Sequence, residues 1–204
     1  MKDIQAVVFD LYGTLIYLAN ETKPYARLFA NMGLQTPEEL KQARTIALTE
    51  DFSNLSNLVK RIKPDSKVDL IPYEREIEEE VASAETYPET RSVLDDLRKI
   101  NIKLGLVSNL ASPYKKPFFV LRLDQYFDEV IFSCDIGLRK PETKIYQKII
   151  EMLKINPAQT LMTGDKVSAD VDGPKSICMN AVHLDRTNTS SNSISTLDKI
   201  FSVF

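Results

Sequence analysis

The sequence predicts an α/β fold, in which a parallel sheet lies between two layers of helices and a small helical module interrupts the chain after the first strand. Short apolar runs bounded by turn residues alternate with stretches of helical periodicity along most of the 204 residues. Such alternation is typical of parallel sheets that are covered on both faces. The interval 17–86 departs from it, because this interval carries helical signals and no convincing strand.

The core is predicted to comprise residues 1–16 and 87–204. Its strand candidates are short apolar runs, and its helix candidates are the periodic stretches between them. The expected strands are 4–9, 102–107, 129–132, 159–163 and 180–184. The expected helices are 89–100, 113–122, 142–154 and 168–178. The polar stretch 187–196 is expected to be a surface connector, and a short helix is expected to follow it.

Residues 17–86, which we call the cap segment, are predicted to form a small helical unit lying over the sheet. One helix is expected to end at Gly33, and a second to begin with Thr36 as its cap and Pro37 at its first position. Pro72 opens a further helical stretch. A segment of this length is too long for a simple crossover or an unstructured loop.

Composition narrows the classes of partner and site. A net charge of -3 argues against nucleic-acid or anionic-lipid binding, and the sequence shows neither a signal peptide nor an apolar run long enough to span a membrane. Cys134 and Cys178 lie apart, which favours a reducing, cytoplasmic location. The single histidine, His183, excludes a zinc site with two histidine ligands and is expected to be an ordinary strand residue. The oligomeric state stays open.

Polar side chains follow the apolar runs at the edge of the sheet where ligands bind in parallel α/β folds. Asp10 comes directly after the first strand, where its carboxylate could attack an electrophile, although a turn aspartate is the alternative for this segment alone. Ser108 and Asn109 could hold an anionic oxygen, and Lys140 could neutralise both Asp10 and a transferring group.

Two further carboxylates are expected to approach Asp10. Asp165 follows another strand, and Asp170 comes five residues later. Three converging carboxylates repel one another unless a cation lies between them, so they predict a hard divalent ion, with Mg²⁺ the natural choice. The alternative is that Asp165 caps a helix while Asp170 lies on its solvent face.

Together these segments occur in an order that resembles the haloacid dehalogenase superfamily of aspartyl-nucleophile hydrolases. The stretch FDLYGTL resembles the first motif, Ser108 the second, Lys140 the third and GDKVSAD the fourth, so the resemblance covers essentially the whole chain. The cap segment resembles the helical cap that this superfamily carries between the first and second motifs. A Rossmann-like core is what the resemblance implies, with Asp10 as nucleophile, Ser108 binding the substrate anion and Lys140 steadying the charged intermediate.

The resemblance also implies a metal site. By similarity, Asp165 binds Mg²⁺ together with Asp10 and the backbone carbonyl of Tyr12, while Asp170 supports the site from behind. Tyr12 is a departure, because phosphatases of this superfamily usually have an aspartate there that protonates the leaving group. Tyrosine has a pKa near 10 and is a poor general base at neutral pH, and losing such a group costs about 10²–10⁴-fold in rate.

Tyr12 leaves alternative functions open. Tyrosine at this position resembles the metal-independent 2-haloacid dehalogenases, whereas Gly164 with Asp165 resembles the metal-binding enzymes. A dehalogenase also needs a cap arginine, and the sequence does not rank its candidates. These candidates are Arg27, Arg44, Arg61 and Arg75.

The favoured function is a Mg²⁺-dependent, phosphatase-like hydrolase of a small phosphorylated metabolite. Such an enzyme is expected to prefer leaving groups that need no proton, such as acyl or aryl groups. A 2-haloacid dehalogenase and a degenerate hydrolase that serves as a binding module are the alternatives.

Overall fold

The computed structural model describes residues 3–189 and 192–203. Within these residues the strands are β1 (Ala6–Phe9), β2 (Ile16–Leu18), β3 (Ala84–Thr86), β4 (Lys103–Ser108), β5 (Glu129–Phe132), β6 (Thr160–Gly164), β7 (Asn180–Leu184) and β8 (Ser193–Ile194). The α-helices are α1 (Pro24–Asn31), α2 (Pro37–Thr49), α3 (Leu55–Ile62), α4 (Ile71–Ala82), α5 (Thr90–Lys99), α6 (Lys116–Val120), α7 (Ser133–Ile136), α8 (Thr143–Leu153) and α9 (Gly173–Lys175). Short 3-10 helices occur at Ser112–Lys115, Asp124–Tyr126, Pro157–Gln159 and Leu197–Val203, and Val167–Asp172 forms a π-helical turn.

Six strands form one sheet in the order β5-β4-β1-β6-β7-β8, and every neighbouring pair is parallel. The first strand, AVVF, is fully buried and lies between β4 and β6. The chain builds the sheet on one side of β1 and then on the other, and ligands bind at such a reversal, outside the carboxyl ends of the strands.

Side chains of β1 alternate between two apolar layers. Val7 and Phe9 pack with α5 and the C-terminal 3-10 helix, whereas Ala6 and Val8 pack with α8 on the opposite face. The sheet is thus covered on both sides, and the predicted three-layer, Rossmann-like α/β core is confirmed.

The cap segment contains α1, α2, α3 and α4, and these helices share their own apolar cluster. Leu28, Phe29, Leu58 and Val81 are among its buried members. The predicted start of α2 is confirmed, because the Thr36 side chain accepts a hydrogen bond from the third helical residue, which bonds back to the Thr36 backbone. No helix in the described residues is long and apolar enough to cross a membrane.

The expectation that 17–86 contains no strand is wrong. β2 and β3 form a two-stranded antiparallel ribbon, in which Ile16 lies opposite Thr86 and Leu18 opposite Ala84. The two connections to the cap segment therefore run side by side. Three-residue strands are too short to produce a readable periodicity, and their pairing partners lie far apart in the sequence.

Three other expected elements differ in extent. The helix expected at 113–122 is a 3-10 turn followed by the short α6, and the helix expected at 168–178 is a π-helical turn followed by α9. Pro117 and Pro174 stand near the starts of these short helices, where proline cannot donate the hydrogen bond that would continue a preceding turn. The expected connector 187–196 contains the edge strand β8, although its residues 190 and 191 lie outside the described part of the chain.

Candidate active site

Three adjacent strand ends place Asp10, Asp165 and Ser108 at one edge of the sheet, and the π-helical turn after β6 adds Asp170. Asp10 extends β1, and its backbone N–H donates to the Thr163 carbonyl of β6 at 3.0 Å. Asp165 directly follows β6, and Ser108 is the last residue of β4, on the other side of β1. One carboxylate oxygen from each of Asp10, Asp165 and Asp170 lies within 4.8 Å of the others.

Lys140 joins this cluster from the loop before α8. Its Nζ atom lies 2.7 Å from Asp10 Oδ1 and 2.6 Å from Asp170 Oδ1, and the lysine is only 4% exposed. Asn109 holds the Lys140 backbone in both directions, because Asn109 Nδ2 donates to the Lys140 carbonyl and Asn109 Oδ1 accepts from the Lys140 N–H, each at 2.8 Å. The Asn109 amide thereby fixes the base of the lysine side chain.

Burial dominates the electrostatics of this cluster. Burial raises the pKa of Asp10 to about 6, although the Lys140 ammonium opposes this shift by favouring the ionised carboxylate. Burial alone would lower the pKa of Lys140, but the carboxylates of Asp10 and Asp170 outweigh it and hold that pKa above its usual value. The lysine is therefore a fixed positive charge against the Asp10 carboxylate.

Two glycines allow the carboxylates to approach the backbone. Gly13 has φ +79°, and a Cβ atom there would lie 2.7 Å from Asp165 Oδ2. A Cβ on Gly164 would overlap the Asp170 carboxylate. Any side chain at these two positions would displace an acidic group, so the GT turn and the GD pair of the sequence are steric requirements of the site.

Asp170 and Asp165 differ in the oxygens that they leave open. Asp170 is fully buried, with Oδ1 on Lys140 and Oδ2 accepting from the Lys166 N–H at 3.0 Å. Asp165 is partly exposed and pairs through Oδ2 with Lys166 Nζ at 2.7 Å. Clustered carboxylate oxygens are the ligands that a hard divalent cation prefers, and Asp165 and Asp10 are the more open pair.

Tyr12 turns its hydroxyl towards the cap side of the site. The hydroxyl donates to the Tyr114 carbonyl at 2.9 Å, and the two rings meet edge to face with centroids 6.0 Å apart. Burial, and then the charge of Glu80, raises the pKa of Tyr12. This phenol stays protonated at neutral pH and is not available as a base.

An open cavity of about 350 Å³ lies between the cap segment and the core beside Tyr12 and Asn109, and we call it the cap–core cavity. Of the four cap arginines, Arg44 lines it. The others pair with nearby glutamates: Arg27 with Glu76, Arg61 with Glu50, and Arg75 with Glu79.

Arg186 supports the site and was missed by sequence reasoning. Its guanidinium donates to the carbonyls of Gly13 and Thr14 at 3.3 and 2.7 Å and pairs with Glu89 at 2.7 Å. It also lies 3.4 Å from the centre of the Tyr87 ring. These partners are far away in the sequence, and no local pattern marks the arginine.

His183 is a strand residue as expected, and its Nε2 lies 3.1 Å from the Asp165 carbonyl.

Replacing Lys140 by methionine is expected to lower the free energy of unfolding by about 3–5 kcal/mol, because two buried carboxylates lose their common counter-charge. Urea denaturation in the presence of a chelator measures this loss. The double variant Lys140→Met/Asp170→Asn should regain part of the lost free energy of unfolding, since one of the two unpaired buried charges is then removed.

Lys148→Met is the matched control, because Lys148 is half exposed and its pair with Glu151 at 3.4 Å is solvated. A loss below about 1 kcal/mol for Lys140→Met would contradict the buried pairing, since that is the range of surface ion pairs.

Known proteins resemble this chain in sequence and in fold. The sequence model of the haloacid dehalogenase-like hydrolases matches residues 4–177. The glyceraldehyde 3-phosphate phosphatase of Methanopyrus kandleri is 30% identical over 197 residues, which cover 90% of this chain and 84% of the relative. That of Pyrococcus abyssi is 34% identical over 97 residues, covering 47% of this chain and 40% of the relative.

Solved structures share the whole fold. A phosphatase of the same superfamily from Thermococcus onnurineus superposes with a TM-score of 0.68 at 27% identity, covering 98% of this chain and 97% of that one. A 2-haloacid dehalogenase from Pseudomonas syringae gives a TM-score of 0.69 at 19% identity, with the same coverage, and shares the fold alone. With the match over residues 4–177, the chain belongs to the haloacid dehalogenase-like hydrolase family.

Proposed function

We propose that this hydrolase is a Mg²⁺-dependent phosphatase of a small phosphorylated metabolite, with Asp10 as its nucleophile. The observation that carries the proposal is the buried Asp10, which is held by Lys140 at 2.7 Å beside two further carboxylates. Relatives named as glyceraldehyde 3-phosphate phosphatases support a phosphorylated substrate. So does the phosphoglycolate phosphatase of Aquifex aeolicus, 33% identical over 100 residues, which are 48% of this chain and 46% of the relative.

In the proposed reaction, a carboxylate oxygen of Asp10 attacks phosphorus, the P–O bond to the leaving group breaks, and water then hydrolyses the acyl phosphate. Lys140 neutralises charge on Asp10 and on the transferring group. Ser108, at the end of β4, binds a phosphate oxygen, and Asn109 positions Lys140 through the two hydrogen bonds to its backbone.

The clustered carboxylates fit a divalent cation. We assign Mg²⁺ to Asp10, Asp165 and the backbone carbonyl of Tyr12, with Asp170 as support because both its oxygens are already bonded. When bound, Mg²⁺ supplies positive charge that stabilises the transferring phosphoryl group.

Tyr12 sets the class of leaving group in this proposal. A partly buried phenol whose hydroxyl is bonded to the Tyr114 carbonyl does not replace a carboxylic acid as proton donor. Acyl and aryl phosphates, whose leaving groups need no proton, are therefore expected to be hydrolysed faster than alkyl phosphates, and an alkyl phosphate is expected to react best when its departing alcohol is made more acidic.

Residues 17–86 act as the cap in this proposal, closing over a small-molecule substrate and excluding water. The catalytic core is then 1–16 and 87–204. The cytoplasm is the proposed location, since Cys134 and Cys178 are free thiols.

Phosphate release from acetyl phosphate and para-nitrophenyl phosphate, with Mg²⁺ and with a chelator, tests the function. Asp165→Asn should weaken Mg²⁺ binding at least about tenfold in calorimetry, because one anionic ligand is lost. Asp172→Asn, an exposed residue on the turn that carries Asp170, is the control and should bind Mg²⁺ as the native protein does. Activity that survives the chelator, or native Mg²⁺ binding by Asp165→Asn, would overturn the metal-dependent reaction.

A 2-haloacid dehalogenase is the second candidate, because Tyr12 and Arg44 both line the cap–core cavity. Halide release from 2-chloropropionate in the presence of a chelator would select it. Retained Mg²⁺ binding without turnover on either substrate panel would instead indicate a binding module.

A further inference from the structure

The cap–core cavity has mainly apolar and aromatic walls. Tyr25 and Phe29 come from α1, Tyr12 from the loop after β1, and Tyr114 from the core. The Tyr25 ring lies about 6 Å from those of Phe29 and Tyr114, so the rings form a continuous aromatic group. A leaving group that enters this cavity meets several π faces and edges.

One carboxylate lies among these walls. Glu80, on the inner face of α4, is 3% exposed and lines the cavity. The N–H and the hydroxyl of Thr22 donate to its Oε2 atom at 3.2 and 2.8 Å, the Tyr114 hydroxyl also bonds to this carboxylate, and all of these donors are neutral. None of the ion pairs found in residues 3–189 and 192–203 includes Glu80.

The Glu80 carboxylate changes the pKa values of tyrosines that line the cavity. After burial, this carboxylate is the largest cause that raises the pKa of Tyr114, and it also raises the pKa of Tyr12. A buried carboxylate without a cation is costly, and a cation that enters the cavity relieves that cost. Aromatic faces attract the same kind of group.

The remaining charges lie at exposed positions. Arg44 and Glu21 also line the cavity, but both side chains are exposed to solvent, and their charges are opposite in sign. Solvent screens them more than it screens Glu80. The buried part of the cavity is therefore negative.

We propose that Glu80 determines specificity, by selecting phosphate esters whose leaving group carries an ammonium and rejecting those whose leaving group carries a carboxylate. This inference rests on the phosphatase function proposed above. An ammonium close to the ester oxygen also makes the departing alcohol more acidic, which suits a site with Tyr12 in place of an acid. We therefore do not expect this protein to prefer phosphoglycolate, the substrate for which the phosphatase of Aquifex aeolicus is named.

Two small substrates of similar size and opposite charge test the proposal: O-phosphoethanolamine and 2-phosphoglycolate. The native protein should hydrolyse O-phosphoethanolamine with at least about tenfold higher kcat/KM, because a desolvated charge contact of this kind is worth roughly a factor of ten. Glu80→Gln keeps an acceptor for Thr22 and should shift the ratio of the two kcat/KM values by about tenfold towards 2-phosphoglycolate.

Acetyl phosphate separates the two proposals, because its small acyl group does not carry the distinguishing charge. If acetyl phosphate is hydrolysed by both proteins while the ratio does not change, the Glu80 inference fails and the phosphatase function stands. If acetyl phosphate is not hydrolysed, the phosphatase function fails. Glu79→Gln is the matched control on α4, since Glu79 is half exposed and pairs with Arg75 at 2.7 Å.

Binding gives a readout that does not need turnover. Calorimetry of the Asp10→Asn protein with Mg²⁺ should show tighter binding of O-phosphoethanolamine than of 2-phosphoglycolate, and Glu80→Gln in that background should remove the difference. Equal or reversed affinities before the substitution would overturn the inference, whatever the activity.

Discussion

Replacing Asp10 by asparagine is expected to lower kcat for para-nitrophenyl phosphate on the order of 10⁴–10⁶-fold, as removal of a nucleophile does in other covalent enzymes. Asparagine keeps the size of the side chain and an oxygen that can accept from Lys140, so the packing around β1 is retained. An amide cannot form the acyl phosphate, and the reaction then has no covalent route.

Steady-state kinetics with purified protein measures this effect, and a urea titration checks that the variant is folded. Asp198→Asn is a suitable control, because Asp198 is exposed in the C-terminal 3-10 helix, away from the strand ends. A variant at position 10 that keeps more than about one hundredth of native activity would show that another group performs the displacement.

Replacing Tyr12 by aspartate is expected to raise kcat/KM for alkyl phosphates by about 10²–10⁴-fold, because a carboxylic acid can protonate the departing alcohol. Hydrolysis of acetyl phosphate should change far less, since its leaving group needs no proton. The substitution removes the contact between the rings of Tyr12 and Tyr114. We therefore expect a lower free energy of unfolding together with the higher kcat/KM for alkyl phosphates.

Tyr12→Asn has the same shape as Tyr12→Asp and lacks only the acid. If both variants show the same increase in kcat/KM for ethyl phosphate, the increase comes from added space in the cavity and not from proton donation. A bell-shaped pH dependence in the aspartate variant alone would support the acid.

The sheet could be predicted because its signals are local. Strands β1 and β6 are short apolar runs that are each followed by a carboxylate, and β4 is an apolar run that ends in Ser108. Parallel strands place their carboxyl ends at one edge, so the rule that finds the strands also brings Asp10 and Asp165 together.

Other parts of the site could not be predicted, because their signals depend on distant segments. Glu80 lies in the acidic run EIEEEVASAE, which has the composition of a solvated helix face, and only the packing of α4 turns this one carboxylate inward. Asn109 was predicted as a site residue that holds an anionic oxygen, but its contact with the Lys140 backbone was not, because these hydrogen bonds span 31 positions. Arg186 reaches Thr14 across 172 positions.

The ribbon of β2 and β3 has a consequence for how such a chain changes during evolution. The insertion leaves and re-enters the core at neighbouring points, with Ile16 opposite Thr86, so its length and content do not alter the path of the sheet. Because the ends are already held together, exchanging the inserted helices adds little loop-closure entropy. A lineage can therefore replace the sequence between these strands, while the strand ends that hold Asp10 and Asp165, and the loop that holds Lys140, are inherited unchanged.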